Sequence, residues 1–250
     1  MFIRTTVIND ESFVTDIVAG DYRTSGVFRK YGIEYCCGGR VPLQIACEMH
    51  KVDKETVKKE LNESIRNILI TNAVDFSNLE MDFLADYIQN IHHAYLKKNL
   101  PDIHAILEHF TESHKTKYIW LPELLDAYKS LYKVLLPHLE HEEQVIFPYI
   151  KQIVHAYHHH EPYAALLVRT LRKPVEDIMK EDHEFIEKFL LKSRKLSNNY
   201  SAPSNSCITH KVCFLKLQEL DNDLVQHFHL ENNILFPKAI AMEKELLLRE

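Results

Sequence analysis

Two segments of the chain repeat one constellation 89 residues apart: His138-x3-Glu142-x4-Phe147-Pro148 and His227-x3-Glu231-x4-Phe236-Pro237. On an α-helix, residues four apart share a face, with Cβ atoms about 5–6 Å from one another, so each copy sets an imidazole beside a carboxylate aimed the same way. Two such helices facing each other could enclose two metal ions. A single His-x3-Glu carries little weight, since a solvated helix face produces it as well. His183-x3-Glu187 has the spacing without the Phe-Pro. The shared tails, Val-Ile-Phe-Pro and Ile-Leu-Phe-Pro, change that weighing. An apolar turn seats each helix in a core and a proline marks its end, so both pairs fall at the same depth.

The elements that position these pairs read as helices almost throughout. The five glycines all lie before residue 40, and apolar residues recur at helical spacing through most of the remainder. The fold class is therefore all-α, with a small helical domain over 1–75 and a four-helix bundle over 76–250. In the first unit Ser12 is a candidate helix cap, Gly32 a helix stop, and Asp53 the cap of a helix running through Val57, Leu61, Ile65 and Leu69. The polar stretch 71–78 reads as the linker. Four long helices follow, near 78–99, 122–151, 171–197 and 207–236, with a shorter one from Pro101 to about His114 inserted in the first connection. Pro137 is expected to kink the second long helix beside the metal. His158-His159-His160 reads as solvated loop.

Composition narrows the function classes. The chain has 250 residues and a net charge of −6 without blocks of like charge, which disfavours nucleic acid and anionic membranes as partners. No apolar run approaches a membrane span, and the first residues carry acidic groups where a signal peptide needs an apolar stretch, so a cytoplasmic location is expected. Five cysteines, two of them adjacent, argue for reduced thiols rather than a disulfide framework.

If each long helix sends one His inward, the other helices contribute His92 or His93, and His183. Four imidazoles and two carboxylates form a mixed nitrogen and oxygen set. It suits non-haem iron or manganese and lacks the thiolates of structural zinc sites. Six ligands for two ions require sharing, so Glu142 and Glu231 would bridge, with an oxo or hydroxo group between the ions and positions left open for a small molecule. His141 and His229 lie off that face, and His104, His109, His114, His155 and His210 have no repeated partner. Cys47, Cys207 and Cys213 read as buried small apolar residues. Cys36-Cys37, ahead of Gly38-Gly39, sits in a turn that would expose both sulfurs. A following helix N-terminus would favour thiolate chemistry there, such as metal transfer or redox exchange.

Arg23-Thr24-x3-Phe28-x2-Tyr31-Gly32-Ile33-Glu34-x-Cys36-Cys37-Gly38-Gly39, followed by Leu43 and Ala46-Cys47, resembles the N-terminal domain of the RIC family, the iron–sulfur cluster repair di-iron proteins. Residues 78–240 resemble that family's hemerythrin-like domain, so the resemblance covers nearly the whole chain. It implies a di-iron site in a hemerythrin-like bundle. The family places a ligand His upstream of a Leu-Pro, here Leu100-Pro101, which selects His93 over His92. The segment Glu181-Asp182-His183-Glu184 gives His183, with Asp182 where Glu is more usual, and His138, Glu142, His227 and Glu231 match directly. The implied role is repair of iron–sulfur clusters damaged by nitric oxide or oxidants, through iron donation or NO reduction. Damaged iron–sulfur proteins are then the partners, and NO or O2 the small-molecule ligand. A hemerythrin-like carrier or sensor of O2 or NO is the alternative, and a dinuclear zinc hydrolase is disfavoured for want of a separate base. A homodimer is one assembly that the sequence leaves open.

Overall fold

The computed structural model describes residues 8–33, 35, 41–65, 76–171 and 175–248. Cys36, Cys37 and the boundary at residue 75 lie outside these. The described residues contain no strand, only one isolated bridge between Phe13 and Pro42, and no helix among them is long and apolar enough to cross a membrane.

The first unit is made of short helices at Val14–Gly20, Ser25–Lys30, Leu43–Met49 and Lys54–Ser64. Phe13 rather than Ser12 stands at the cap position of the first, and Ser12 instead bonds within its own turn, to Asn9. Asp53 caps the fourth by accepting from the Thr56 amide at 2.9 Å. Gly32 ends the second with φ +68°, a left-handed turn that glycine enters without a Cβ clash, while the Ile33 amide reaches back to the Phe28 carbonyl at 2.8 Å. The buried faces of this unit, with Val14, Ile17, Phe28, Leu43, Val57 and Leu61, continue without a break into the apolar core at one end of the bundle.

The bundle is built from four long helices. The first spans 81–114, as α-helix at Met81–Tyr87, a π-turn at Ile88–His93 and α-helix at Ala94–His114. The second spans 121–158, with a π-turn at Glu142–Ile146. The third is Val175–Leu196, and the fourth spans 208–248 with a π-turn at Glu231–Leu235. The second helix packs between the first and third, and the fourth lies against the first. A short helix, Ala164–Leu171, packs on the far end of the fourth.

Three prolines act differently from the sequence expectation. Pro101 does not separate two helices, because the stripe Leu96, Leu100, Ile103, Leu107 and Phe110 stays buried across it. One lost backbone bond is offset by that continuous packing, and the Tyr128 hydroxyl braces the turn by donating to the Leu100 carbonyl at 2.8 Å. Pro148 and Pro237 do not end their helices either, which run on to His158 and Leu248. Each stands in the first turn of the α-helix resumed after a π-turn, where a missing N–H costs least.

Two apolar clusters fill the bundle, one joined to the N-terminal unit and one at the opposite end around Leu84, Ile88, Ile150, Ile153 and Leu235. Between them runs a layer of buried polar side chains: His92, His93, His138, Glu142, His183, His227 and Glu231.

Candidate metal centre

Backbone irregularity marks this layer. All three π-turns meet it, since His93 is the last residue of the first, and Glu142 and Glu231 open the other two. A π-turn widens the helix by one residue, rotates the following side chains out of α-register and is often found at functional sites. His138–Glu142 and His227–Glu231 keep ordinary i,i+4 spacing because both turns start at the Glu.

The side chains fall into two groups of four donors. His93, Glu142, His227 and Glu231 form one, and His138, Glu142, His183 and Glu231 the other; within each, the ligand atoms lie within 4.8 Å of one another. Both carboxylates belong to both groups. Glu142 turns Oε2 to His93 Nε2 and Oε1 to His138 Nε2, each at 3.4 Å. Glu231 turns Oε1 to His227 Nε2 at 2.8 Å and Oε2 to His183 Nε2 at 3.7 Å. Each therefore offers one oxygen to each pocket, the arrangement a bridging carboxylate needs.

Apart from His227 Nε2 and Glu231 Oε1, at 2.8 Å, the donor atoms make poor hydrogen-bond partners for one another and good ligands. His93 Nε2 lies 3.2 Å from His227 Nε2, and His138 Nε2 the same distance from His183 Nε2. Nitrogens bound to one ion at about 2.0–2.1 Å, with angles near a right angle, stand roughly 3 Å apart. Both Glu142 oxygens and Glu231 Oε2 are buried without a hydrogen-bond donor. Burial, with the neighbouring Glu231 charge, lifts the Glu142 carboxyl to about 7, and burial lifts Glu231 to about 7. Burial and the facing His138 push His183 down to about 3, and burial also lowers His93 and His227. Burial opposes charge on His138 too, but Glu142 and Asp182 outweigh it and its value rises. Protein groups alone leave this layer undersupplied with positive charge, and cations would supply it.

Three of the four imidazoles are held through the ring nitrogen that faces away from the pocket. His93 Nδ1 donates to Glu143 at 2.9 Å, His138 Nδ1 to Asp182 at 3.2 Å and His183 Nδ1 to the Asn232 side-chain oxygen at 3.1 Å. Such partners place the proton on Nδ1 and leave the Nε2 lone pair to a metal. The buried His227 Nδ1 has none. Glu143 and Asn232 each directly follow a shared Glu and hold a His of a neighbouring helix. Their position one residue past the repeated Glu is the signal that sequence reasoning passed over. Phe147 stacks on the His93 ring at 5.4 Å between centroids, and Phe228 covers His183 at 4.3 Å.

His92 stands apart from both groups. Its Nδ1 donates to Asp223 at 3.0 Å and its ring stacks on His227 at 5.8 Å, so it backs a pocket without entering it. His229 and the run His158-His159-His160 are exposed, whereas His141 is half-buried with Nε2 unpartnered. Cys47 and Cys213 are buried, Cys207 only partly.

Comparison with known proteins finds matches to both parts of the chain. Residues 86–239 match the family profile of the hemerythrin HHE cation-binding domain, and residues 10–65 match ScdA_N, a domain of unknown function. The iron–sulfur cluster repair protein ScdA of Staphylococcus haemolyticus is 27% identical over 232 residues, covering 93% of this chain and 99% of that protein. The iron–sulfur cluster repair protein YtfE of Escherichia coli is 29% identical over 222 residues, covering 88% and 93%. A probable iron–sulfur cluster repair protein of Haemophilus influenzae is 26% identical over 214 residues, covering 86% and 90%.

Proposed function

The chain belongs to the hemerythrin HHE cation-binding family, and on that premise we propose that it is a di-iron protein that repairs iron–sulfur clusters damaged by nitric oxide or oxidants. The observation that carries the reading is the pair of four-donor pockets sharing both carboxylates, in a chain whose relatives named for cluster repair align along both its parts. Nitrogen and oxygen donors without thiolate suit iron, and the two ions, bridged by Glu142, Glu231 and an oxo or hydroxo group, would supply redox chemistry and exchangeable metal.

The residues around them bind, orient and exclude water. Glu142 and Glu231 compensate two cations at once. Glu143, Asp182 and Asn232 fix the ring planes and tautomers of His93, His138 and His183. The apolar clusters on either side keep water from the layer along the bundle axis, and Phe147 and Phe228 cover the imidazoles. Cys36 and Cys37 are assigned delivery of iron or electrons rather than assembly of the centre, and a reducing cytoplasmic setting suits them.

The test has two arms. Anaerobically purified protein should contain about two irons per chain and give a coupled mixed-valent signal in electron paramagnetic resonance. It should also reactivate a cluster enzyme inactivated with NO. Protein that holds two irons and reactivates nothing refutes the repair role and leaves the metal assignment standing. Replacing Cys36 and Cys37 by Ser should lower reactivation at unchanged iron content, and undiminished reactivation removes the pair from the mechanism.

A further inference from the structure

Away from the metal layer, a cleft of about 670 Å³ opens between the N-terminal unit and the first and fourth bundle helices. That size is in the range of small-molecule sites. The chain is acidic overall, yet five cationic side chains line this cleft against three carboxylates. Most of that charge is already committed: Arg23 forks onto Asp21, Arg29 pairs with Asp102, and Lys30 pairs with Glu60.

Lys98 and Lys216 remain. Among the described residues neither makes a hydrogen bond or ion pair, and Glu219, a lining carboxylate without an ion-pair partner there, acts on Lys216 through space only. Lys98 is exposed, as surface lysines usually are. Lys216 is 6% exposed, on the inward face of the fourth helix between the buried Leu217 and Phe214. Lysines are seldom so buried without a counter-charge, because desolvating an ammonium is costly. A lysine lying along apolar surface carries its head out to water, and this one carries it to the cleft, its stem buried along the helix. Burial lowers its proton affinity, Glu219 and Asp102 oppose this, and the nearby Arg29 and Lys98 add to it.

We propose that this cleft binds a small oxyanion, a phosphate or carboxylate group on a small molecule, which Lys216 and Lys98 grip. The anion supplies the missing counter-charge. Because Arg29 and Lys30 form the opposite wall, from a different part of the chain, an occupied cleft also ties the N-terminal unit to the bundle. The site stands independently of the function proposed for the metal layer.

Isothermal titration of the full metal-loaded chain with glycerol phosphate, and separately with succinate, tests it at ionic strength held constant with chloride. Saturable one-site binding of either probe is expected, and the tighter probe identifies phosphate or carboxylate as the source. Lys216→Met should weaken that binding by at least about tenfold, as expected for loss of a charge-assisted hydrogen bond. It should leave metal content unchanged and raise the melting temperature without anion, since a partly desolvated ammonium without an ion-pair partner has gone. Lys98→Gln, at an exposed position that folding does not depend on, should weaken binding several-fold and decides the matter alone if Lys216→Met does not fold. Absence of saturable binding by both probes, or binding by the variants as tight as by the parent, overturns the proposal.

Discussion

The two halves of the polar layer share both carboxylates and the Phe228 ring, and differ in how deeply they lie. The pocket of His93 and His227 is closed, since both imidazoles are fully buried, His92 stacks behind one and Phe147 lies on the other. The pocket of His138 and His183 is nearer the surface. His183 retains 9% exposure, and Asp182, which holds His138, has a side chain 39% exposed. One donor set, used twice, leaves one candidate pocket closed by packing and the other nearer solvent. On the proposed di-iron reading, exchange of metal or small molecules is expected at the outer pocket.

The largest effect should come from removing what the pockets share. Glu142→Ala or Glu231→Ala takes a ligand from both, and metal content should fall below one ion per chain; a variant retaining two ions would show that the carboxylates do not bridge. Next in size is the asymmetry itself. A chelator should release metal in two phases, and His183→Ala should abolish the fast phase while one ion stays; a single phase, or loss of both ions together, would erase the distinction.

Smaller changes should follow from the groups that hold the rings. Glu143→Gln and Asp182→Asn should each weaken metal binding by roughly 10–100-fold. Glu143→Gln should cost more, because Glu143 is the more buried and its bond to His93 is shorter, 2.9 Å against 3.2 Å. Binding should also report the protons it displaces. Without metal, Glu142 and Glu231 lose their protons near pH 7 and His138 above its ordinary value. Loading below pH 7 should therefore release protons, and the release should shrink as the pH rises past these values; calorimetry in buffers of different ionisation enthalpy measures it. Burial lowers His93, His183 and His227, so they contribute less than free imidazoles would. The smallest effect on metal content should be that of His92→Ala, which leaves two ions bound; loss of metal from it, with His93→Ala unaffected, would reverse the assignment on the first helix.

How much of this could be read beforehand depended on whether the cause was local. Asp53 and Gly32 act within one turn of chain, and their roles were legible. Pro101, Pro148 and Pro237 misled for the complementary reason: a proline's local preference is about one backbone bond, and packing of a whole helix outweighs it. The π-turns were harder to read: only Asn232-Asn233 and the prolines two residues past Glu142–Ile146 and Glu231–Leu235 depart from helix-forming sequence, and neither feature distinguishes a π-turn from a helix end. Asp182 could be noticed beside His183, but not that it holds His138.

By itself, then, the sequence determined the helical class and the chemistry on offer, because helical periodicity and the His-x3-Glu spacing are properties of a single helix. Sequence periodicity alone left His92 and His93 equivalent, one residue apart on the same turn. Tertiary structure decided between them, turning His93 toward His227 and Glu142 and His92 toward Asp223. It also decided that one pocket is closed and the other near water. Those outcomes depend on which side chains four separate helices bring within a few ångströms, and no spacing along one helix contains that distance.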